Sequence, residues 1–297
     1  MPARPTTIAE WLAWALRRYA KHRVALGQVA DNAHDEALYL LLRTLDLPLE
    51  SPRSVLRRKT TPEQAAKLED VFRRRTEERV PAAYLTREAW LGGHKFFVDE
   101  RVIIPRSYFV ELLPEAVPQW LPAGKPVKRV VDVCTGSGCL AVLLADRFPD
   151  AKVDAIELSP DAAAVARFNF AQNRLGARIK LHRSDVFDAV PAAKYDVILS
   201  NPPYVPTREM RDLPEEFKKE PAMALDGGRD GLDIVRKLLR QARERLQPHG
   251  IVTLEVGQAK PALDAAFSEL DPHWLHTSDG EDCVCVITAA RLRAWRE

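Results

Sequence analysis

The chain has 297 residues, of which 46% are hydrophobic and 29% charged, an ordinary globular composition with enough length for two domains. A formal net charge of only +2 is no footprint of a protein whose main partner is nucleic acid. No apolar span reaches the roughly eighteen residues of a membrane helix, and the apolar amino-terminal residues Ile8, Trp11, Leu12, Trp14 and Leu16 are soon interrupted by charge, unlike a signal peptide, so a cytoplasmic location without a membrane partner is expected.

The first 82 residues read as a small helical domain. Apolar positions at spacings of three and four predict an amphipathic helix over 7–28 with Thr7 as its cap, and two more over Asp35–Leu45 and Pro62–Arg79, the last opened by Thr60-Thr61. This part carries 15 Lys+Arg against 11 Asp+Glu, leaving 29 against 31 for the rest. Arg57-Arg58-Lys59 and Arg73-Arg74-Arg75 read as solvated helix faces rather than RNA contacts. Residues 83–107 change character: strand-like Ala83-Tyr84-Leu85, Ala89-Trp90-Leu91, Gly92–Val98 and Arg101–Ile104, separated by turn residues, read as a β-hairpin linker ending at Pro105-Arg106-Ser107.

From residue 108 to 297 a helix over Phe109–Trp120 leads into alternating strands and helices. Strands are predicted at 127–134, 152–157, 178–183, 195–200, 250–256, 273–278 and 283–289. Ser159 and Pro160 open a helix that stops near Gly176, and another spans 231–246. Such alternation implies a parallel sheet with helices on both faces, and Asp279-Gly280-Glu281-Asp282 joins the last two strands as an antiparallel pair. The four cysteines, Cys134, Cys139, Cys283 and Cys285, lack zinc-ligand spacing and read as reduced, buried thiols; no metal is expected.

Four motifs fall at the ends of successive strands. Arg129–Val133 runs into Cys134-Thr135-Gly136-Ser137-Gly138 and then a helix, so glycines allow a ligand close to the backbone and the helix start offers free N–H groups. Neither the phosphate-binding lysine motif nor Gly-x-Gly-x-x-Gly is present, because Cys134 holds the first glycine position. Val153–Glu157 ends in a carboxylate nineteen positions after Gly138, the spacing of a group that accepts from ribose hydroxyls. Ser184-Asp185-Val186 places a second carboxylate, suited to an adenine amino group, at another strand edge. Tyr195–Ser200 ends in Asn201-Pro202-Pro203-Tyr204. Neither proline has an N–H, so this turn presents mainly acceptors, suited to the two N–H donors of an amide or aromatic amine.

Taken in this order, the motifs resemble the Rossmann-like S-adenosylmethionine-dependent methyltransferases. That resemblance implies an α/β fold with a seven-stranded sheet, Asp132, Cys134, Thr135, Gly136, Ser137, Gly138, Glu157, Asp185, Val186 and Asn201 around S-adenosylmethionine, and Asn201, Pro202, Pro203 and Tyr204 around the acceptor nitrogen. With Phe96–Arg106 and Glu220–Leu232 added, the whole chain is similar to the protein-glutamine N5-methyltransferases. The family implies a helical substrate-recognition domain, a hairpin linker and this catalytic domain. Of its two familiar branches, one modifies peptide release factors and the other large-subunit ribosomal protein three, free or in an assembling particle. Ser107-Tyr108-Phe109 after Ile104-Pro105-Arg106 departs from the Pro-Glu-Thr that typically follows in the release-factor branch, and Asp132–Cys139, Asp31–Ala37, Arg79–Leu85 and Ala89–Phe97 are similar to the ribosomal-protein branch. Phe97 and Arg106 are further candidates near the cofactor, and Glu220 either ties a loop over the site or pairs with Lys218 or Lys219. His94 and His182 read as isolated surface or linker histidines. The alternatives are methylation of release factors, a DNA adenine-N6 methyltransferase, which would need a stronger basic footprint, and a ribosome-assembly factor without turnover.

Overall fold

The computed structural model describes residues 4–296, which form two compact units. The first runs through Ala89 and also takes Val98–Glu100 and Leu213–Glu220; the second holds Trp90–Phe97, Arg101–Asp212 and the chain from Pro221 on.

In the first unit, α1 (Ile8–His22) and α3 (Pro62–Thr76) each open with a reciprocal capping box, Thr7 with Glu10 and Thr61 with Gln64, while Asn32 caps α2 (Ala33–Thr44). Ile8, Trp11, Ala15 and Tyr19 of α1 meet Leu40 and Leu41 of α2 and Leu68 and Phe72 of α3 in one core. The first helix stops at His22, well short of the predicted residue 28. Arg23 turns left-handed at φ 48, and beyond it Ala25 is held by side chains, its carbonyl accepting from Arg75 Nη2 at 2.8 Å and its N–H donating to Glu216 at 3.1 Å. The third helix likewise ends at Thr76, not Arg79.

Arg75 corrects the reading of its arginine run as a solvated face. Arg73 and Arg74 face water and pair with Glu78, but Arg75 is fully buried, as is Glu36. Its Nε and Nη2 donate to the two Glu36 oxygens at 2.7 and 3.1 Å, Tyr19 donates to the same carboxylate at 2.9 Å, and Nη1 lies 3.5 Å from Glu216. Burial disfavours the guanidinium charge, yet the Glu36 carboxylate outweighs it and the Arg75 pKa is raised. Glu216 also accepts from Arg79 at 2.9 Å. Glu220 is buried and accepts from Gln28.

Ala83-Tyr84-Leu85, read as strand-like, lies in a short helix, α4 (Ala82–Thr86). The hairpin is narrower than the predicted linker: β1 (Ala89–Leu91) and β2 (His94–Phe96) turn at Gly92-Gly93, and Arg101–Ile104 forms no strand. After it, α5 (Phe109–Leu112) is a single turn rather than a helix to Trp120. Pro114 and Pro118 explain the shortfall, since a proline interior to a helix removes an N–H and crowds the preceding turn.

The second unit is built on one sheet. Its parts are β3 (Arg129–Val133), α6 (Cys139–Arg147), β4 (Lys152–Glu157), α7 (Pro160–Gln172), β5 (Ile179–Arg183), β6 (Tyr195–Ser200), α8 (Asp233–Arg245), β7 (Leu246–Glu255), β8 (His273–Leu275) and β9 (Val284–Thr288). The strand order is β5-β4-β3-β6-β7-β9-β8, with β9 antiparallel to both its neighbours and the other pairs parallel. The seven predicted strands are all present. The chain builds outward from β3 to one side and then from β6 to the other, so the carboxyl ends of β3 and β6 form the switch point where open α/β sheets bind ligands. Register sets what meets there: Val133 pairs with Ser200, and Ser200 with Leu254. Asn201 therefore follows directly beside Cys134 on one side and Glu255 on the other. Among the described residues no helix is long and apolar enough to cross a membrane.

Candidate active site

The turn after β3 is shaped by left-handed backbone at Cys134 (φ 63), Gly136 (φ 55) and Gly138 (φ 84). Gly138 has no substitute: besides its φ, an added Cβ would run into the ring of buried Phe170. Thr135 closes the turn from both ends, its N–H on the Ile156 carbonyl at 2.9 Å and its hydroxyl on Asp132. The Gly136 N–H donates to Glu157 at 2.8 Å, and the Ser159 N–H donates to the other Glu157 oxygen at 2.8 Å. The carboxylate at the end of β4 is thus braced against the turn. Burial raises its pKa.

Asn169, on α7, ties this turn to the segment after the hairpin. Its amide donates to the carbonyls of Ser137 at 2.8 Å and Phe97 at 3.0 Å, and its oxygen accepts from the Phe97 N–H at 2.7 Å. Phe97 then stands edge-on to half-exposed Phe168, ring centroids 5.2 Å apart. Next to Glu157, Leu158 is also left half exposed. Asp185, beyond β5, pairs with Lys237 at 2.7 Å, and Val186 beside it is buried in a left-handed conformation at φ 53.

These residues fit a nucleoside cofactor bearing an amino-acid tail. Asp132 is fully buried and its Oδ1 makes no direct hydrogen bond of ordinary geometry, only a weaker pull from the Ala141 N–H, an arrangement that is costly unless a ligand or water completes it. Glu157 has acceptor capacity beyond its two N–H partners. No lysine or arginine follows the turn to meet a phosphate.

Asn201 ends β6 with its orientation set by Glu255. Asn201 Nδ2 donates to Glu255 Oε1 at 3.0 Å; Glu255 Oε2 accepts from the Ser107 hydroxyl and, at 3.1 Å, from the Tyr108 N–H. Ser200 donates to the Val133 carbonyl at 2.6 Å and fixes the strand end. Pro202 is buried, while Pro203 and Tyr204 are partly so. The loop that follows is zipped to the glycine segment, Val205 N–H to the Leu225 carbonyl and Gly227 N–H to the Val205 carbonyl, both at 2.8 Å. Added carbons show why glycines stand here: one at Gly227 would lie 2.7 Å from the Pro203 carbonyl, and one at Gly257 2.7 Å from the Tyr204 ring. Tyr204 is packed on the Gly257 backbone. Arg106 donates to the Ile104 carbonyl at 3.2 Å.

Glu255 and Asn169 were missed by sequence reasoning. Glu255 ends the apolar run Ile251–Leu254 as Glu157 ends its own strand, so the same signal was available. Asn169 sits inside a helix with nothing to distinguish it. His94 and His182 are not isolated: His94 contacts Asp146 and Asn173, and buried His182 meets Asp154 at 2.7 Å. All four cysteines are free thiols, Cys134 only partly exposed and the others buried.

Burial pushes Asp132 up to about 7 and Glu255 up to about 7, the latter against the lowering pull of Ser107, Tyr108 N–H and the Arg106 charge. Both folded values lie above the ordinary carboxylate range, so the folded state holds protons that the unfolded chain releases. Their stabilising contribution is complete below about pH 4 and is lost as pH rises through about 7, by roughly 3–4 kcal/mol each. Chemical unfolding of wild type and Glu255→Gln at pH 5 and pH 8 checks this. Wild type is expected to lose about 2–3 kcal/mol relative to the variant over that interval; parallel changes would show that the Glu255 charge is compensated.

Residues 110–272 match the family model of the methyltransferase small domain. The ribosomal protein uL3 glutamine methyltransferase of Bordetella pertussis is 46% identical over 286 residues, 96% of each chain. Its counterpart from Burkholderia pseudomallei is 45% identical over 295 residues, 97% of this chain and 96% of that one. That from Neisseria gonorrhoeae is 42% identical over 287 residues, again 97% and 96%. Among solved structures, the hMettl16 catalytic domain in complex with MAT2A 3′UTR hairpin 1 is 17% identical with a TM-score of 0.51, covering 86% of this chain and 90% of its own, a likeness of fold alone.

Proposed function

This chain belongs to the family of ribosomal protein uL3 glutamine methyltransferases, and on that premise we propose that it methylates the side-chain amide nitrogen of a glutamine in ribosomal protein uL3, using S-adenosylmethionine. The observation that carries the reading is Asn201: its amide N–H is spent on Glu255, so an acceptor oxygen remains at the sheet's switch point beside the glycine turn.

S-adenosylmethionine supplies, when bound, a methyl group on a sulfonium. Gly136 and Gly138 would give it room at the backbone, Glu157, which already accepts from the Gly136 N–H, would accept from its ribose hydroxyls, and Asp132 and Asp185 with Val186 would complete its site, Asp185 on the adenine side. An amide nitrogen is a poor nucleophile because its lone pair is delocalised into the carbonyl. Asn201 Oδ1 and the Pro202 carbonyl would accept its two N–H groups, orienting the lone pair at the sulfonium methyl and stabilising positive charge as the new N–C bond forms and the methyl–sulfur bond breaks, its electron pair staying on the sulfur of the departing thioether. The extra proton then leaves to water, so no strong general base is needed. Tyr204, held against Gly257, covers the planar amide. The helical amino-terminal domain recognises the protein substrate, free or in an assembling particle, in the cytoplasm where ribosomal proteins are made. DNA is not the substrate, in keeping with the net charge of +2.

Transfer of labelled methyl from S-adenosylmethionine to purified uL3, beside release factor and unmodified DNA, tests this, with peptide mass spectrometry to locate the product. Label on a glutamine of uL3 alone is expected. Label only on release factor, or on DNA, would reassign the substrate; cofactor binding with no label on any acceptor would favour an assembly factor.

A further inference from the structure

Glu255 accepts from three groups: the Asn201 amide at Oε1, and the Ser107 hydroxyl and Tyr108 N–H at Oε2. We propose that Glu255 is the positioning residue that selects which end of the Asn201 carboxamide faces the substrate, an inference that rests on the reading above. A carboxamide can sit either way round, oxygen out or nitrogen out, and only the first can accept from a glutamine N–H. An ionised carboxylate settles the choice because it accepts and cannot donate, so the Asn201 NH2 must turn toward it. Ser107 and the Tyr108 N–H, both donating to Oε2, hold the carboxylate in place and leave Oε1 for Asn201.

Substitutions on the two sides of this hydrogen bond have opposite chemistry. In Glu255→Gln the single remaining oxygen stays with the Tyr108 N–H, an obligate donor, and the new NH2 faces Asn201. Asn201 then turns its oxygen inward and presents NH2 to the substrate, so that donor meets donor. In Asn201→Asp two carboxylates stand where a carboxylate and an amide stood, and they repel or share a proton. The double variant Asn201→Asp/Glu255→Gln restores the pattern: the amide introduced at position 255 donates to one oxygen of the carboxylate introduced at position 201, and the other oxygen of that carboxylate faces the substrate as an acceptor.

At pH 8, above the raised Glu255 pKa, each single variant is expected to lose about 100-fold in kcat, with cofactor affinity retained by calorimetry. The double variant is expected to recover at least about tenfold over either single. A double variant no better than the worse single, or Glu255→Gln with wild-type kcat, would overturn the assignment. Wild-type activity on uL3 in the same assay separates this outcome from failure of the functional reading. Should uL3 prove not to be the substrate, orientation is still read in the free enzyme from the 15N-labelled Asn201 side chain. Its NH2 exchanges slowly in wild type, where it is bonded to Glu255, and rapidly in Glu255→Gln; unchanged exchange would sink the proposal.

Discussion

Asn201→Ala is expected to lower turnover about 10²- to 10³-fold while the dissociation constant for S-adenosylmethionine shifts by no more than about threefold. Positioning as a whole can contribute on the order of seven kcal/mol or more to such a transfer, and one preorganised polar partner about 3–4 kcal/mol of it. The alanine removes that partner without disturbing the cofactor's side. Glu157 remains braced by Gly136 and Ser159, and the turn after β3 is closed by Thr135 and Asp132. Glu255 keeps its bonds from Ser107 and Tyr108, so the strand end should stay folded. Single-turnover methyl transfer beside calorimetric titration of the cofactor makes the measurement. Equal losses in both would mean that Asn201 serves the cofactor rather than the acceptor nitrogen.

Arg75→Met is expected to destabilise the first unit by about 3–5 kcal/mol, a large part of the 5–15 kcal/mol that typically separates folded from unfolded. The guanidinium serves Glu36 with two hydrogen bonds, the Ala25 carbonyl with one and Glu216 as an ion pair. Methionine fills comparable volume and supplies none of these, which leaves the Glu36 carboxylate fully buried with only the Tyr19 hydroxyl. The cost is dominated by that stranded charge rather than by the value of the pair itself. Arg75→Met/Glu36→Leu should therefore regain much of the loss, since apolar replacement of both members of a buried pair is often neutral. Urea unfolding of the two variants decides it; a double variant less stable than Arg75→Met would show that Glu36 has other essential work.

The catalytic unit was legible because its signals are local and repeated. Each strand of the sheet is a short apolar run bounded by turn residues, and the candidate site residues follow from strand ends, where the chain must leave the sheet. Asn201, Glu157 and the Gly136–Gly138 turn fall there for that reason. The errors came from side chains that reach across the fold. The helix predicted to residue 28 ends at His22 because Arg75 and Glu216 take over the backbone of Ala25, and no periodicity in residues 7–28 contains that information. Arg75 itself reads as one of three like charges, yet the α3 spacing turns it inward while Arg73 and Arg74 face water. Asn169 is invisible for a related reason: its three backbone partners, around Ser137 and Phe97, lie on two separate stretches of chain.

The passage of Leu213–Glu220 into the first unit sets an order of events during synthesis. The helices α1–α4 of that unit emerge early, but its last segment appears about 130 residues after Ala89. At ordinary rates of chain growth that is roughly 6 to 26 s. Throughout that interval Arg75 has Glu36 but no Glu216, Arg79 has no Glu216, and Gln28 has no Glu220. The amino-terminal domain of this protein is thus first to be made and yet cannot be first to be finished, and a nascent chain halted before residue 213 should expose to proteases the very segment, 23–28, that its completion secures.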